Sequence, residues 1–242
     1  PTLDQKKTPA TGIGGKFELR PPLGTAHVLR LGADLRIAEG KLLETPISTV
    51  TGKVTAVRRA GGTTSDLGFY LEDDWTLGAL TLTAGARADR WTIRDGFYRE
   101  VTAAGVVSTD RRFADRSGWS TNFRGGVVWK AGEALRLRAA AYTGFRQPTL
   151  NELYRPFVVF PVTTRANENL KNERLRGFEA GIDFTPSNAV MLSLTAFDNR
   201  VKDAIANVTI NATTRQRQNV NAVRARGVEA GAALRFGQIA LD

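Results

Sequence analysis

Apolar and polar residues alternate with period two along most of this chain. That is the repeat of a strand with two unlike faces, not the 3.6-residue repeat of a helix. Leu29, Leu31, Ala33, Leu35 and Ile37 oppose Arg30, Asp34 and Arg36, and Leu80, Leu82, Ala84, Ala86 and Ala88 oppose Thr81, Thr83, Arg87 and Asp89. Ile13, Phe17 and Leu19 oppose Lys16, Glu18 and Arg20, while Leu67, Phe69 and Leu71 oppose Tyr70 and Glu72. Trp119, Phe123, Val127 and Trp129 face away from Asn122, Arg124 and Lys130, and Leu135, Leu137, Ala139 and Ala141 from Arg136, Arg138 and Tyr142. Phe178, Ala180, Ile182 and Phe184 then oppose Glu179 and Asp183, and Val228, Ala230, Leu234 and Phe236 oppose Glu229 and Arg235. About ten strands are predicted, each near the roughly 9 to 11 residues that a tilted strand needs to cross hydrocarbon.

Turn signals fall near Pro21-Pro22-Leu23-Gly24, Thr76-Leu77-Gly78, Lys130-Ala131-Gly132-Glu133, Thr185-Pro186-Ser187-Asn188 and Phe236-Gly237-Gln238. Centred on Leu23, Gly78, Gly132, Ser187 and Gly237, they are spaced by 55, 54, 55 and 50 residues. Between them lie polar segments, about Glu39 to Ser65, Asp95 to Ser117, Arg146 to Asn172 and Val201 to Asn221, read as loops. Short connections on one edge and long ones on the other predict an all-β, antiparallel, up-and-down transmembrane barrel. Arg176-Gly177-Phe178-Glu179-Ala180-Gly181 and Arg226-Gly227-Val228-Glu229-Ala230-Gly231 repeat one hairpin apart, as equivalent barrel positions do.

The mean hydropathy of −0.24 fits this reading, because a barrel strand shows lipid only every second residue. A net charge of +10 suits nucleic acid or anionic headgroups equally, but the basic residues recur singly on alternate positions instead of forming one patch, which disfavours nucleic acid. A soluble basic β protein is disfavoured further by the apolar face on every strand. Trp75, Trp91, Trp119, Trp129, Tyr142 and Tyr154 stand near strand ends and suit interfacial belts.

Catalytic chemistry is not legible. There is no cysteine and a single histidine, His27, and none of the nucleophile-elbow, zinc-helix or phosphate-loop motifs occurs. No catalytic residue, metal site or cofactor is expected. Of Glu72, Asp73 and Asp74 only the outer two share a strand face, which favours pairing in the lumen over a metal site. Asp198-Asn199-Arg200 and Asp203 are read as the junction of a strand with a loop. The inward basic row, Arg30, Arg36, Arg87, Arg124, Arg136, Arg138 and Arg235, runs beside Glu18, Asp34, Glu72, Asp89, Glu179, Asp183 and Glu229. These can pair with one another, contact a plug or attract an anionic ligand. Arg87, Arg124, Arg136, Arg138, Glu179 and Glu229 are the candidate lumen or plug contacts.

One strand runs out into Phe145-Arg146-Gln147-Pro148-Thr149-Leu150-Asn151-Glu152-Leu153-Tyr154, and a later one begins at Asn172-Glu173-Arg174-Leu175-Arg176-Gly177-Phe178-Glu179-Ala180-Gly181. This pair of phrases resembles the TonB-dependent receptors of the Gram-negative outer membrane, with Asn172 where that family usually has proline. Asp66 to Trp75 and Leu80 to Asp89 resemble further strand phrases of the family, whereas residues 1–64 fit it less distinctly. The resemblance implies a barrel of about 22 strands closed by an N-terminal plug, of which residues 1–242 would be a partial barrel domain without the plug. It implies uptake of a scarce ligand, a ferric siderophore, cobalamin or an oligosaccharide, driven by TonB. The implied partners are outer-membrane lipid, the receptor's own plug, TonB and a small-molecule or metal-chelate ligand. Phe145, Arg146, Pro148, Leu150, Asn151, Glu152 and Tyr154 match the family phrase and are expected at the external rim. Pro148 should end the strand, and Leu150, Leu153 and Tyr154 should pack the loop on the barrel mouth. The chain opens without a leader pattern and stops as a further strand begins, which suggests a piece of a longer polypeptide. A self-contained, passive porin-like barrel is the alternative.

Overall fold

The computed structural model describes residues 2–236 and 239–241. Nine long strands meander up and down: β2 (Ala10–Leu19), β3 (His27–Ile47), β4 (Ala56–Leu77), β5 (Leu80–Thr102), β7 (Arg116–Lys130), β8 (Leu135–Arg146), β11 (Glu173–Ser187), β12 (Val190–Asn211) and β13 (Thr214–Phe236). Each pairs antiparallel with the next. The short β1 (Thr2–Lys7) lies on the upper part of β3, β6 (Val107–Arg112) on β5 and β14 (Ile239–Leu241) on the foot of β13. Between β8 and β11 the chain forms a helix, α1 (Leu150–Tyr154), then a small hairpin of β9 (Phe157–Val159) and β10 (Val162–Arg165). β10 joins β13 in parallel through Thr163↔Thr214. Among the described residues the sheet stays open, with β2 and β13 unpaired to one another.

The four described short turns fall where expected; the fifth, Phe236-Gly237-Gln238, lies outside the described residues. The strands are longer than expected. β3, β4, β5, β12 and β13 run 21, 22, 23, 22 and 23 residues. Much of what reads as polar loop is therefore hairpin arm: β3 and β4 stay paired to Glu44↔Arg58, and β12 and β13 stay paired almost to their tip at Asn211↔Thr214. A hairpin standing in water on both faces has no reason to alternate, so it carries no period-two signal. For the same reason Asp198, Asn199, Arg200 and Asp203 lie inside β12 and not at a strand end.

The apolar face of each strand points out of the arc and is exposed, for instance at Phe17, Phe69, Phe123, Phe178 and Val228. Trp119 and Trp129 stand on that face about ten residues apart along β7, ~33 Å of strand. At a tilt of ~40° this is ~25 Å of height, the thickness of an outer-membrane apolar band. Trp75 shares the lower belt. Trp91, Tyr142 and Tyr154 do not belong to a belt. Trp91 covers Gly118, Tyr142 covers Gly177 and donates to Asn199 at 3.1 Å, and Tyr154 is buried under the rim. All three fill space left by a glycine on the inner face, a position that alternation alone does not separate from a belt.

Candidate functional site

The apolar core lies at the rim, not within the span. Ile93, Leu153, Tyr154 and Leu170 are buried together, with Trp91, Phe113, Leu150 and Ile205 packed around them. It exists because the phrase after β8 folds inward. Pro148, which has no N–H to extend the ladder, is fully buried, and Thr149 caps α1. Its hydroxyl accepts from the Glu152 N–H while the Glu152 carboxylate accepts from the Thr149 N–H at 2.7 Å. This reciprocal pair satisfies two otherwise orphaned donors. Gln147 donates to Asp66 on β4 at 2.5 Å. Leu150 sits over Gly40 and Gly62, and Tyr154 over Gly96, where an added Cβ would stand 2.5 Å from the tyrosine ring. The Tyr154 ring stacks on Phe113 at 4.5 Å.

Charged groups then tie α1 to strands far away in sequence. Arg146 forks onto Glu152 at 2.9 and 3.1 Å, and its Nε donates to Glu173 on β11 at 2.5 Å. The other oxygen of Glu173 accepts the Ile205 N–H at 2.6 Å. Arg155 donates twice, at 3.0 and 2.8 Å, to one oxygen of the buried Glu44 on β3. Arg217 of β13 donates to the carbonyls of Asn151 and, at 2.8 Å, Arg155. Burial alone would raise the Glu152 and Glu173 carboxyls, but hydrogen bonds from Arg146 and from backbone N–H groups outweigh it and hold both below their usual range. Five strands (β3, β4, β8, β11 and β13) are thus clasped through one five-residue helix and its flanks.

Below the clasp the inner face is polar and concave, enclosing a pocket of about 840 Å³. Arg87 bridges Asp34 and Asp89, Arg30 bridges Glu72 and Asp74 at 3.0 and 2.7 Å, and Arg124 reaches the other oxygen of Glu72. Arg138 meets Asp183 at 3.4 Å. Arg36, Arg136, Glu179 and Glu229 have no ion-pair partner among the described residues. No group of three or more metal-binding side chains gathers among these residues either.

The family model described as "TonB dependent receptor-like, beta-barrel" matches residues 3–242. The chain belongs to this family. Residues 1–64, indistinct by phrase alone, are thereby included almost entirely. The fold is similar to that of the FrpB iron transporter from Neisseria meningitidis, F3-3 variant (TM-score 0.67, 22% identity, 95% of this chain and 34% of that one). It also resembles the ferric yersiniabactin uptake receptor FyuA from Yersinia pestis (0.71, 15%, 96% and 34%). A third likeness is to the ferric-catecholate import receptor Fiu from E. coli K12 (0.63, 14%, 96% and 35%). This TonB-dependent receptor barrel spans about a third of the length of these structures. No curated protein matches the sequence.

Within the receptor barrel, the family phrase divides between two faces. Arg146, Pro148, Leu150, Glu152 and Tyr154 turn into the clasp; Asn151 offers it only a backbone carbonyl and exposes its side chain, and Phe145 faces outward beside Arg174. Of the lumen candidates, Arg87, Arg124 and Arg138 lie in ion pairs, while Arg136, Glu179 and Glu229 stand apart. Glu44, Asp66, Arg155 and Arg217 were missed as clasp residues. Only Arg155, directly after the phrase, had a local signal.

Proposed function

We propose that this chain is the barrel portion of an energy-coupled outer-membrane importer, whose plug, outside this chain, fills the concave inner face and whose energy comes through TonB. The family match across residues 3–242 carries the reading. The inner face supports it. A water-filled pore needs no fixed partner, whereas Arg136, Glu179 and Glu229 offer charges that a plug surface can pair. An open sheet in lipid would leave backbone donors and acceptors unsatisfied at several kcal/mol each, which favours a larger closed barrel over a self-contained small one.

The ligand class we favour is a metal chelate such as a ferric siderophore, because FrpB, FyuA and Fiu are each named for iron or ferric uptake. Cobalamin and oligosaccharides are the other candidates. The test is uptake of radiolabelled ferric siderophores by cells carrying the full-length receptor, with and without TonB. Uptake lost without TonB is expected. Uptake that persists without it, alongside unselective passage of small solutes, would favour the passive porin and overturn the proposal.

A further inference from the structure

Outward-facing cations gather at one height on β11, β12 and β13. Arg176 pairs in register with Arg200 and Arg200 with Arg224, giving three arginines side by side across three strands. Arg174 pairs with Lys202 one step above, and Arg226 lies one step below, level with Phe178 and Asp198. All six are exposed. The one carboxylate among them, Asp198, is taken by Arg224. No other described carboxylate lies within ion-pair distance of the remaining five. Like charges directly opposite one another destabilise a sheet, so this row is poorly placed without a counter-anion.

Its height supplies the counter-anion. Arg176 and Arg200 stand about a dozen residues from the short turn that joins their strands, as Trp119 of the upper belt does from its own turn. Strands of one barrel share a tilt, so equal counts mean equal height. The same outward face continues directly below as Phe178, Ile182, Leu194 and Val228, all exposed and apolar. A molecule fitting both parts has acyl chains below and anionic groups at the arginine row. Arginine favours phosphate, which its planar fork grips through two parallel hydrogen bonds.

We infer that the outward face of β11–β13 binds the phosphate groups of a phosphorylated lipid of the outer leaflet, with Arg176, Arg200 and Arg224 as the principal contacts. Free phosphate would have no use for the apolar continuation, so the site is assigned to lipid. The inference rests on the outer-membrane reading above.

The test uses the full-length receptor, purified in detergent, with bisphosphorylated lipid A as the probe. A heat-modifiable, folded band checks the barrel separately, so loss of that band counts against the membrane reading and not against the site. In the folded receptor, R176Q/R200Q/R224Q is expected to weaken lipid A binding by about tenfold or more, and R176K/R200K/R224K, which keeps the charge but loses the fork, to weaken it by less. R59Q/R99Q/R112Q removes as much charge from the outward face of the hairpin arms farther above the belt and should change binding less than about twofold. Equal binding by the glutamine triple and the parent would overturn the site. So would equal binding of phosphate-free lipid A, or displacement of the lipid by inorganic phosphate at comparable concentration.

Discussion

Removing Arg155 should loosen the clasp without unfolding the barrel. Glu44 is 1% exposed and Arg155 15%, and the guanidinium gives the carboxylate both of its hydrogen bonds. The second Glu44 oxygen has no partner. Arg155→Ala therefore leaves a buried carboxylate with nothing to offset its desolvation, a loss of about 3–5 kcal/mol for pairs of this kind. Arg155 is itself partly exposed, so its removal lets water reach Glu44 and the lower end, about 3 kcal/mol, is expected, which is on the order of a hundredfold in a local opening equilibrium. The effect should be local because the ladders of β3, β4 and β5 do not pass through α1. Amide hydrogen exchange of the full-length receptor reads it at Leu153, whose N–H bonds to the Thr149 carbonyl at 3.0 Å. In a Glu44→Gln background no charge is stranded, and the same substitution should cost only about 1 kcal/mol, the worth of an ordinary hydrogen bond. Equal acceleration of exchange in both backgrounds would refute the coupling, as would no acceleration in either.

Gly96→Ala should displace Tyr154, since its Cβ would stand 2.5 Å from the ring; faster proteolytic nicking between residues 147 and 172 is expected, matching Tyr154→Ala. Leu153→Ala, at a fully buried position, should destabilise the clasp by about 2–5 kcal/mol, read by the same nicking rate. Acid should release the clasp as well. The carboxyls of Glu152 and Glu173 are held below their ordinary value of 4.5 in the folded state. Their contribution is thus complete above that value and is lost as pH falls through the folded values. The protection of the Leu153 amide, taken relative to the intrinsic exchange rate at each pH, should fall on acidification from neutrality to about pH 3, and Arg146→Gln should flatten that dependence; an unchanged profile in the variant would contradict the assignment. Brominated lipids should quench Trp119 and Trp129, which face outward, far more than Trp91, which faces in; equal quenching of Trp91 would reverse the assignment of faces.

The spanning part of this barrel was legible because lipid on one face and polar groups on the other impose a strict period of two, which Leu29 to Ile37 and Leu80 to Ala88 show plainly. The four described turns were legible because each carries glycine or proline. Above the membrane both faces meet water, the periodic constraint vanishes, and β12 and β13 continue through Val201 to Asn221 with no pattern to mark them. The clasp was half legible. Leu150, Leu153 and Tyr154 announced a packed loop, but α1, a helix of five residues, is too short to establish a 3.6-residue period. Glu44, Asp66 and Arg217 are brought to it by register alone: Glu44 is 111 residues from Arg155, a separation over which no local pattern reports contact. Trp91 was misplaced because an inward tryptophan covering a glycine and an outward one at a headgroup belt have the same neighbours in sequence.

The clasp explains why the family phrase places a proline, a capping threonine and an arginine where β8 ends. A sheet of nine long strands resists bending poorly at its free upper edge, where hydrogen bonds run only between neighbours and nothing joins β3 to β11 or β13. Folding the chain inward at Pro148 puts α1 where Arg155 reaches β3, Gln147 reaches β4, Arg146 reaches β11 and Arg217 of β13 reaches back. Each link is a charged or hydrogen-bonded contact across the arc, and together with the small apolar core around Leu153 and Tyr154 these links keep the curvature of the mouth. The lower inner face is then left to Arg87, Arg124 and Arg138 in ion pairs, with Arg136, Glu179 and Glu229 beside them. Because no clasp residue is drawn from that lower set, the mouth can hold its shape whatever occupies the lumen. Loosening the clasp should accordingly change exchange at α1 while leaving the inner ion pairs intact.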